Sequence, residues 1–220
     1  MKTDPDFTPQ SIQPTPESTG ISLLNRPAIL IKQIHEVGEW FGFETRNKYQ
    51  ILDQTGASLG FAAEQGGGFL GWVMRQFLGH WRKLEVHFYD NSRREVLIAR
   101  RPFRFFFQRL EVFTPGGKYL GALQQRFGIL TKRFDVEASN AQTLFEVASP
   151  FLKFWTFIFK HHEKEVAAVR KKWSGTFSEM FTDRDNFLVE FMDPKMTEAE
   201  RHLLLAAAIF VDLQYFEKKA

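Results

Sequence analysis

A closed antiparallel β-barrel of about twelve strands around one buried hydrophobic C-terminal helix, a mainly β fold, is what this sequence predicts. Three observations point to it. From Ala28 onward, short runs rich in aromatic and β-branched residues alternate with turn signals, the pattern of successive hairpins. Helical periodicity is mostly absent until the C-terminus. There, Leu203 to Val211 reads LLLAAAIFV with no polar side, and a helix that is apolar all round has to be surrounded.

Residues 1–25 carry Pro5, Pro9, Pro14 and Pro16 among Ser, Thr, Gln and Asp. That leaves too little to bury, so a disordered tail is expected there and the barrel domain over 26–220. The first strand falls around Ala28 to Gln33. Hairpins then turn at Asp53 to Gly56, Asp90 to Arg93, Pro115 to Gly117, Ser139 to Ala141 and His161 to Lys164, most of them holding the Asp, Asn, Pro or Gly that turn geometry favours. The stretches Leu84 to Phe103 and Phe134 to Phe151 look like copies of one another, each a hairpin ending in Pro-Phe, so a duplicated four-strand unit is expected. A last strand around Phe187 to Met192 completes the count, and a barrel of that size is too wide for its own side chains to fill. The helix is the natural plug. Thr197 and Glu200 form the T-x-x-E of a capping box, Glu198 adds to the first turn, and Lys218 and Lys219 sit at the far end, as the helix dipole favours. The apolar run is well short of the ~20 residues that span a bilayer, and Asp212 and Gln214 interrupt it. Burial in protein is therefore the expectation. The competing one, a single-pass C-terminal anchor or a helix on the membrane surface, draws on the apolar character of Phe210 to Phe216.

Composition narrows the chemistry. The chain has no cysteine, which excludes disulfides, thiolate metal sites, cysteine catalysis and S-acylation. In 220 residues it holds 25 phenylalanines and 44% hydrophobic residues, with a net charge of only +3; a large core and local basic patches are compatible with both. No apolar segment follows Lys2, so no secretory signal is expected and the expected location is cytoplasmic, peripheral at membrane. Gly66, Gly68 and Gly71 satisfy G-x-G-x-x-G, but polar Glu64 and Gln65 precede them and hairpins surround them, where a dinucleotide site needs βαβ units. His161 and His162 lie in a predicted turn with no further ligand at metal spacing. Without a nucleophile and base to pair, a non-enzymatic protein is the expectation.

Several blocks carry a resemblance. GFETRNKYQI (Gly42 to Ile51), FAAE (Phe61 to Glu64), RRPF (Arg100 to Phe103), KKWSG (Lys171 to Gly175) and FTDRDNFLVEF (Phe181 to Phe191) resemble, in order and spacing, the signature blocks of the phospholipid scramblase family across roughly Ala28 to Glu217. That family is similar to the tubby and LURP-one-related proteins, so the resemblance implies a twelve-stranded barrel around a central hydrophobic helix. It also implies association with membrane lipid and, for some members, calcium-dependent movement of phospholipid between leaflets.

The resemblance places a calcium loop from Asp183, with Asp185 as its second acid. Phe187 then stands where a ligand is needed, Leu188 in place of glycine and Pro194 at the twelfth position, so any calcium is expected to bind weakly. Read from its residues alone, the segment is an Asp-rich turn entering a strand with Phe187, Val189 and Phe191 on one face. In eukaryotic members, acylated cysteines follow the FAAE-like and RPF-like blocks. Here bulky side chains fill the matching stretches, Gly68 to Lys83 and Phe103 to Leu110. If the first is helical, Phe69, Trp72, Phe77 and Trp81 share a face flanked by Arg82 and Lys83, as an interfacial helix requires; the alternative is that they cover a barrel end. The second alternates Phe103, Phe105 and Phe107 with polar residues and reads as a strand facing the core. Basic residues recur near hairpin turns or strand ends at Arg93 and Arg94, Arg100, Arg101 and Arg104, Lys132 and Arg133, and Arg170 to Lys172; those that converge on one rim would make an anionic phospholipid or phosphoinositide surface, with Arg100, Arg101 and Arg104 the first candidates. The expected function is a scramblase-like, lipid-interacting protein that docks on anionic membrane and assists phospholipid movement. The alternative is a soluble module that binds nucleic acid or protein on the same barrel.

Overall fold

The computed structural model describes residues 20–34, 47–65, 84–129, 131–149, 155–171 and 186–216. Among them twelve strands follow in chain order: β1 (Ala28–Ile34), β2 (Lys48–Asp53), β3 (Ser58–Glu64), β4 (Leu84–Asp90), β5 (Glu95–Arg101), β6 (Arg109–Phe113), β7 (Tyr119–Arg126), β8 (Arg133–Ala138), β9 (Thr143–Ala148), β10 (Thr156–His161), β11 (Lys164–Arg170) and β12 (Asn186–Phe191). Each pairs antiparallel with its chain neighbour, and β1 pairs with both β2 and β12, which closes the barrel. The expected strand number and closure are both present, and all five expected hairpin turns are where the sequence puts them.

Four of those turns are one device repeated. At Asp53, Asp90, Thr114 and Ala138 the backbone N–H donates to the carbonyl four residues on, and the N–H three residues on donates back. The residue that closes each turn, Gly56, Arg93, Gly117 or Ala141, has positive φ. This is the turn-plus-bulge geometry of a short hairpin, and each of the five hairpins carries a register shift beside its turn. Side chains hold the device. Asp53 Oδ1 accepts from Thr55 and Ala57 N–H, and Asp90 Oδ1 from Ser92 and Arg94 N–H, the Asx pattern.

Strand alternation then sorts the side chains. Phe187, Val189 and Phe191 of β12 turn inward with Tyr49, Phe88, Phe134, Phe157 and Phe159, leaving a lumen that a helix fills. Helix α1 (Glu198–Val211) starts on the expected capping box, with Thr197 Oγ1 accepting from Glu200 N–H and Glu200 Oε2 accepting from Thr197 N–H. Residues Leu203 to Val211 are all buried. At 14 residues α1 is about 21 Å long, and no helix among the described residues is long and apolar enough to cross a membrane. The C-terminal anchor is thus unsupported: this helix lies in the barrel. Lys218 and Lys219 fall outside the described residues.

One boundary moves. Ile21 and Leu23 are buried in the core, and Leu23 N–H donates to Glu198 Oε1 at 2.7 Å while Arg201 Nη1 donates to the carbonyls of Leu23 and Arg26. Residues 21–25 therefore strap the start of α1, so packed chain begins ahead of the expected boundary at 26. The remainder of the expected tail lies outside the described residues.

Candidate functional site

An up-and-down barrel divides its connections between two rims. The five tight hairpins share one rim with the start of β1 and the end of β12. The connections β1–β2, β3–β4, β5–β6, β7–β8, β9–β10 and β11–β12 all leave and return at the other. Helix α1 begins at the hairpin rim and ends at this second one, continuing as a π-helical turn over Asp212–Phe216.

Eight large hydrophobic side chains are exposed among the described residues, and six of them, Phe105, Phe106, Phe107, Phe127, Ile129 and Trp155, stand on the long-connection rim. Leu24 and Met192 are at the hairpin rim. Exposure reaches 82% at Phe106, 70% at Phe127 and 83% at Ile129, far from the burial that large apolar groups seek.

The segment from Phe103 to Gln108 is a loop, and the expected core-facing strand does not form there. Pro102 offers no N–H to continue the ladder of β5. Gln108, buried, then ties the loop to itself: its Nε2 donates to Arg104 O at 2.9 Å, and its N–H donates to Gln125 Oε1 at 2.9 Å. Phe107 takes positive φ, 49°. Phe105, Phe106 and Phe107 are left outside, with half-buried Phe103 edge to face with Phe105 at 4.9 Å.

The basic candidates separate. Arg100 is half exposed on the outer wall, paired with Glu85 Oε2 at 3.1 Å and placed over the Phe113 ring at 5.4 Å. Arg101, on the opposite face of the same strand, is 2% exposed and donates to Gln214 Oε1 at 3.2 Å. Its expected place at a lipid surface is corrected by strand parity: neighbouring residues point to opposite faces. Arg104 is exposed and makes no ion pair among the described residues. Arg133, one of the basic residues recurring at strand ends, is also exposed and makes no ion pair among the described residues. Arg126, by contrast, is neutralised by Asp135 and Glu137.

Inside the same rim the end of α1 is polar. Tyr49 hydroxyl donates to Asp212 Oδ2 at 2.8 Å and Lys171 Nζ lies 3.2 Å from Asp212 Oδ1, with Asp212 buried and the Lys171 side chain 9% exposed. Lys132 Nζ sits 4.6 Å from the centre of the Tyr215 ring. Burial lowers the Lys132 pKa and pushes the Tyr215 hydroxyl up to about 12. Cations around the carbonyl end of α1 match its dipole.

Other candidates fall outside the described residues: Phe69, Trp72, Phe77, Trp81, Arg82 and Lys83 between β3 and β4, and Asp183 and Asp185 between β11 and β12. Phe187 and Leu188, at the ligand and glycine positions of the calcium loop, lie in β12, Phe187 opposite Ile31 of β1 and Leu188 between Leu30 of β1 and Arg170 of β11. Among the described residues no group of three His, Cys, Asp or Glu is placed to hold a metal ion.

The family described as Scramblase matches residues 8–218. Human phospholipid scramblase family member 5 is 26% identical over 95% of this chain and 82% of its own length. Rat phospholipid scramblase 1 is 30% identical over 86% of this chain, which spans 60% of that protein. Altered inheritance rate of mitochondria protein 25 of Saccharomyces cerevisiae is 25% identical over 90% of this chain and 72% of its own. A solved structure of an Arabidopsis thaliana protein is similar at a TM-score of 0.48 and 13% identity, covering 85% of this chain and 91% of that one. With the family match running nearly end to end, the chain belongs to the scramblase family.

Proposed function

We propose that this chain is a non-catalytic, lipid-interacting barrel that docks on anionic membrane surfaces through its long-connection rim and there assists phospholipid movement between leaflets. The observation that carries the reading is the gathering, among the described residues, of six of eight exposed large apolar side chains on one rim, beside exposed Arg104 and Arg133. Water disfavours that surface. Fully burying one phenylalanine is worth about 1.5–3 kcal/mol, and each cation near an anionic leaflet about 1 kcal/mol; apolar and ionic attraction thus act at one face. Exposed aliphatic Ile129, which offers no flat face to a base, favours lipid over nucleic acid, which takes phosphate contacts and aromatic stacking.

Co-sedimentation with phosphatidylcholine vesicles, with and without phosphatidylserine or a phosphoinositide, tests this. Binding should require the anionic lipid, weaken as salt rises, and change little with calcium. Absence of binding to every vesicle, with tight salt-sensitive binding to nucleic acid, would instead favour the soluble-module alternative. Dye-labelled lipid movement in the same vesicles tests transport separately from docking.

A further inference from the structure

We propose that the β5–β6 and β7–β8 connections form one preorganised two-pronged wedge that enters the acyl layer of an anionic membrane, with Arg104 and Arg133 at its shoulders on the lipid phosphates. This rests on the docking reading and names the element that inserts. Strands β6 and β7 pair directly, Arg109 opposite Gln124, so the two connections are neighbours on the rim. A set of glutamines joins them. Gln108 N–H donates to Gln125 Oε1 and Gln125 N–H to Gln108 O at 2.8 Å, while Gln124 Nε2 donates to Phe107 O at 3.2 Å. Gln108 and Gln124 are both buried. Side-chain amides thus fix the loop that presents Phe105, Phe106 and Phe107 beside Phe127 and Ile129, and a fixed apolar tip loses little entropy on entering lipid.

Charge selects the occupant. The prong sequences, PFRFFFQ over 102–108 and FGILTK over 127–132, contain no acidic residue. The acids just below, Glu85, Asp135 and Glu137, already neutralise Arg100, Arg109 and Arg126. What remains at the shoulders is Arg104 and Arg133, exposed and, among the described residues, without an ion pair. Five apolar side chains between two unmatched cations fit a layer whose interior is hydrocarbon and whose surface carries phosphate. A second copy would bring the same cations against each other, which costs affinity.

The absence of cysteine gives a direct test in the full chain. Phe106→Cys carrying an environment-sensitive fluorophore is titrated with phosphatidylcholine vesicles containing phosphatidylserine, unlabelled or with brominated acyl chains. The label should shift to the blue and be quenched by the brominated lipid. Phe106→Ser with Phe127→Ser should weaken vesicle binding by roughly 100-fold at unchanged thermal midpoint, since both side chains are solvent-facing. Arg104→Gln with Arg133→Gln should flatten the salt dependence. A label that stays in water while the chain co-sediments would overturn the wedge and leave the docking reading standing. A blue shift that follows protein concentration without vesicles would assign the patch to a second copy and overturn it too. Failure of the unaltered chain to bind any vesicle would sink the docking reading, and the wedge with it.

Discussion

Asp212 ends the dry part of the plug. In the sequence it interrupts an apolar run, and in the barrel it is where helix α1 meets Tyr49 and Lys171. Asp212→Ala leaves the largely buried Lys171 ammonium without its helix partner and should destabilise by about 3–5 kcal/mol. Asp212→Ala combined with Lys171→Met should recover much of that loss in chemical denaturation, and additivity of the two would show that the pair is not coupled. Asp90 answers to pH. Burial alone raises its pKa, but hydrogen bonds from Arg94 and Ser92 and the Arg94 charge outweigh that and hold it below the usual 3.8. A carboxylate depressed in the folded state adds stability above its unfolded pKa, and that stability is lost as pH falls through the folded value. The thermal midpoint of the unaltered chain should therefore fall more steeply than that of Asp90→Asn as pH drops below about 4. Parallel curves would mean that the turn carboxylate is as ionised unfolded as folded.

At the scale of elements, turns were legible and one loop was not. The Asp and Gly residues at 53, 56, 90 and 117 act through local geometry, which a sequence displays directly. FRFFFQRL alternates as a strand would, and alternation records spacing without recording what lies opposite. The signals against a strand were Pro102, which halts the ladder, and Gln108, which bonds Arg104 O and curls the chain. Close approach of elements was equally silent. At Gly121, with φ of 153°, a Cβ would lie 2.2 Å from Glu137 O and 3.1 Å from Leu203 Cδ1; the glycine lets β8 and the plug both press on β7. Gly121→Ala should cost about 1–3 kcal/mol, as overpacking does. A neutral result in urea denaturation would show that β7 and α1 have room to separate.

Across the whole molecule, parity organises function. Twelve alternating strands send every second connection to the same rim, so β3–β4, β5–β6 and β11–β12, which hold the family-derived lipid and calcium candidates, share one end. Strand number was readable, and the common rim follows from it. The individual residues were harder: Arg100 and Arg101 are adjacent in sequence yet one faces outward and one inward, and only the pairing register decides which. Phe127 and Ile129 sit in a short link with no motif, and become site candidates only when folding places that link beside Phe106. The most direct test of membrane docking by this rim is amide hydrogen exchange on anionic vesicles against the free chain. Protection should appear at residues 102–108 and 127–132 and be absent at the hairpin turns 53–57, 90–94 and 114–118. Protection at those turns, with none at the two connections, would contradict it.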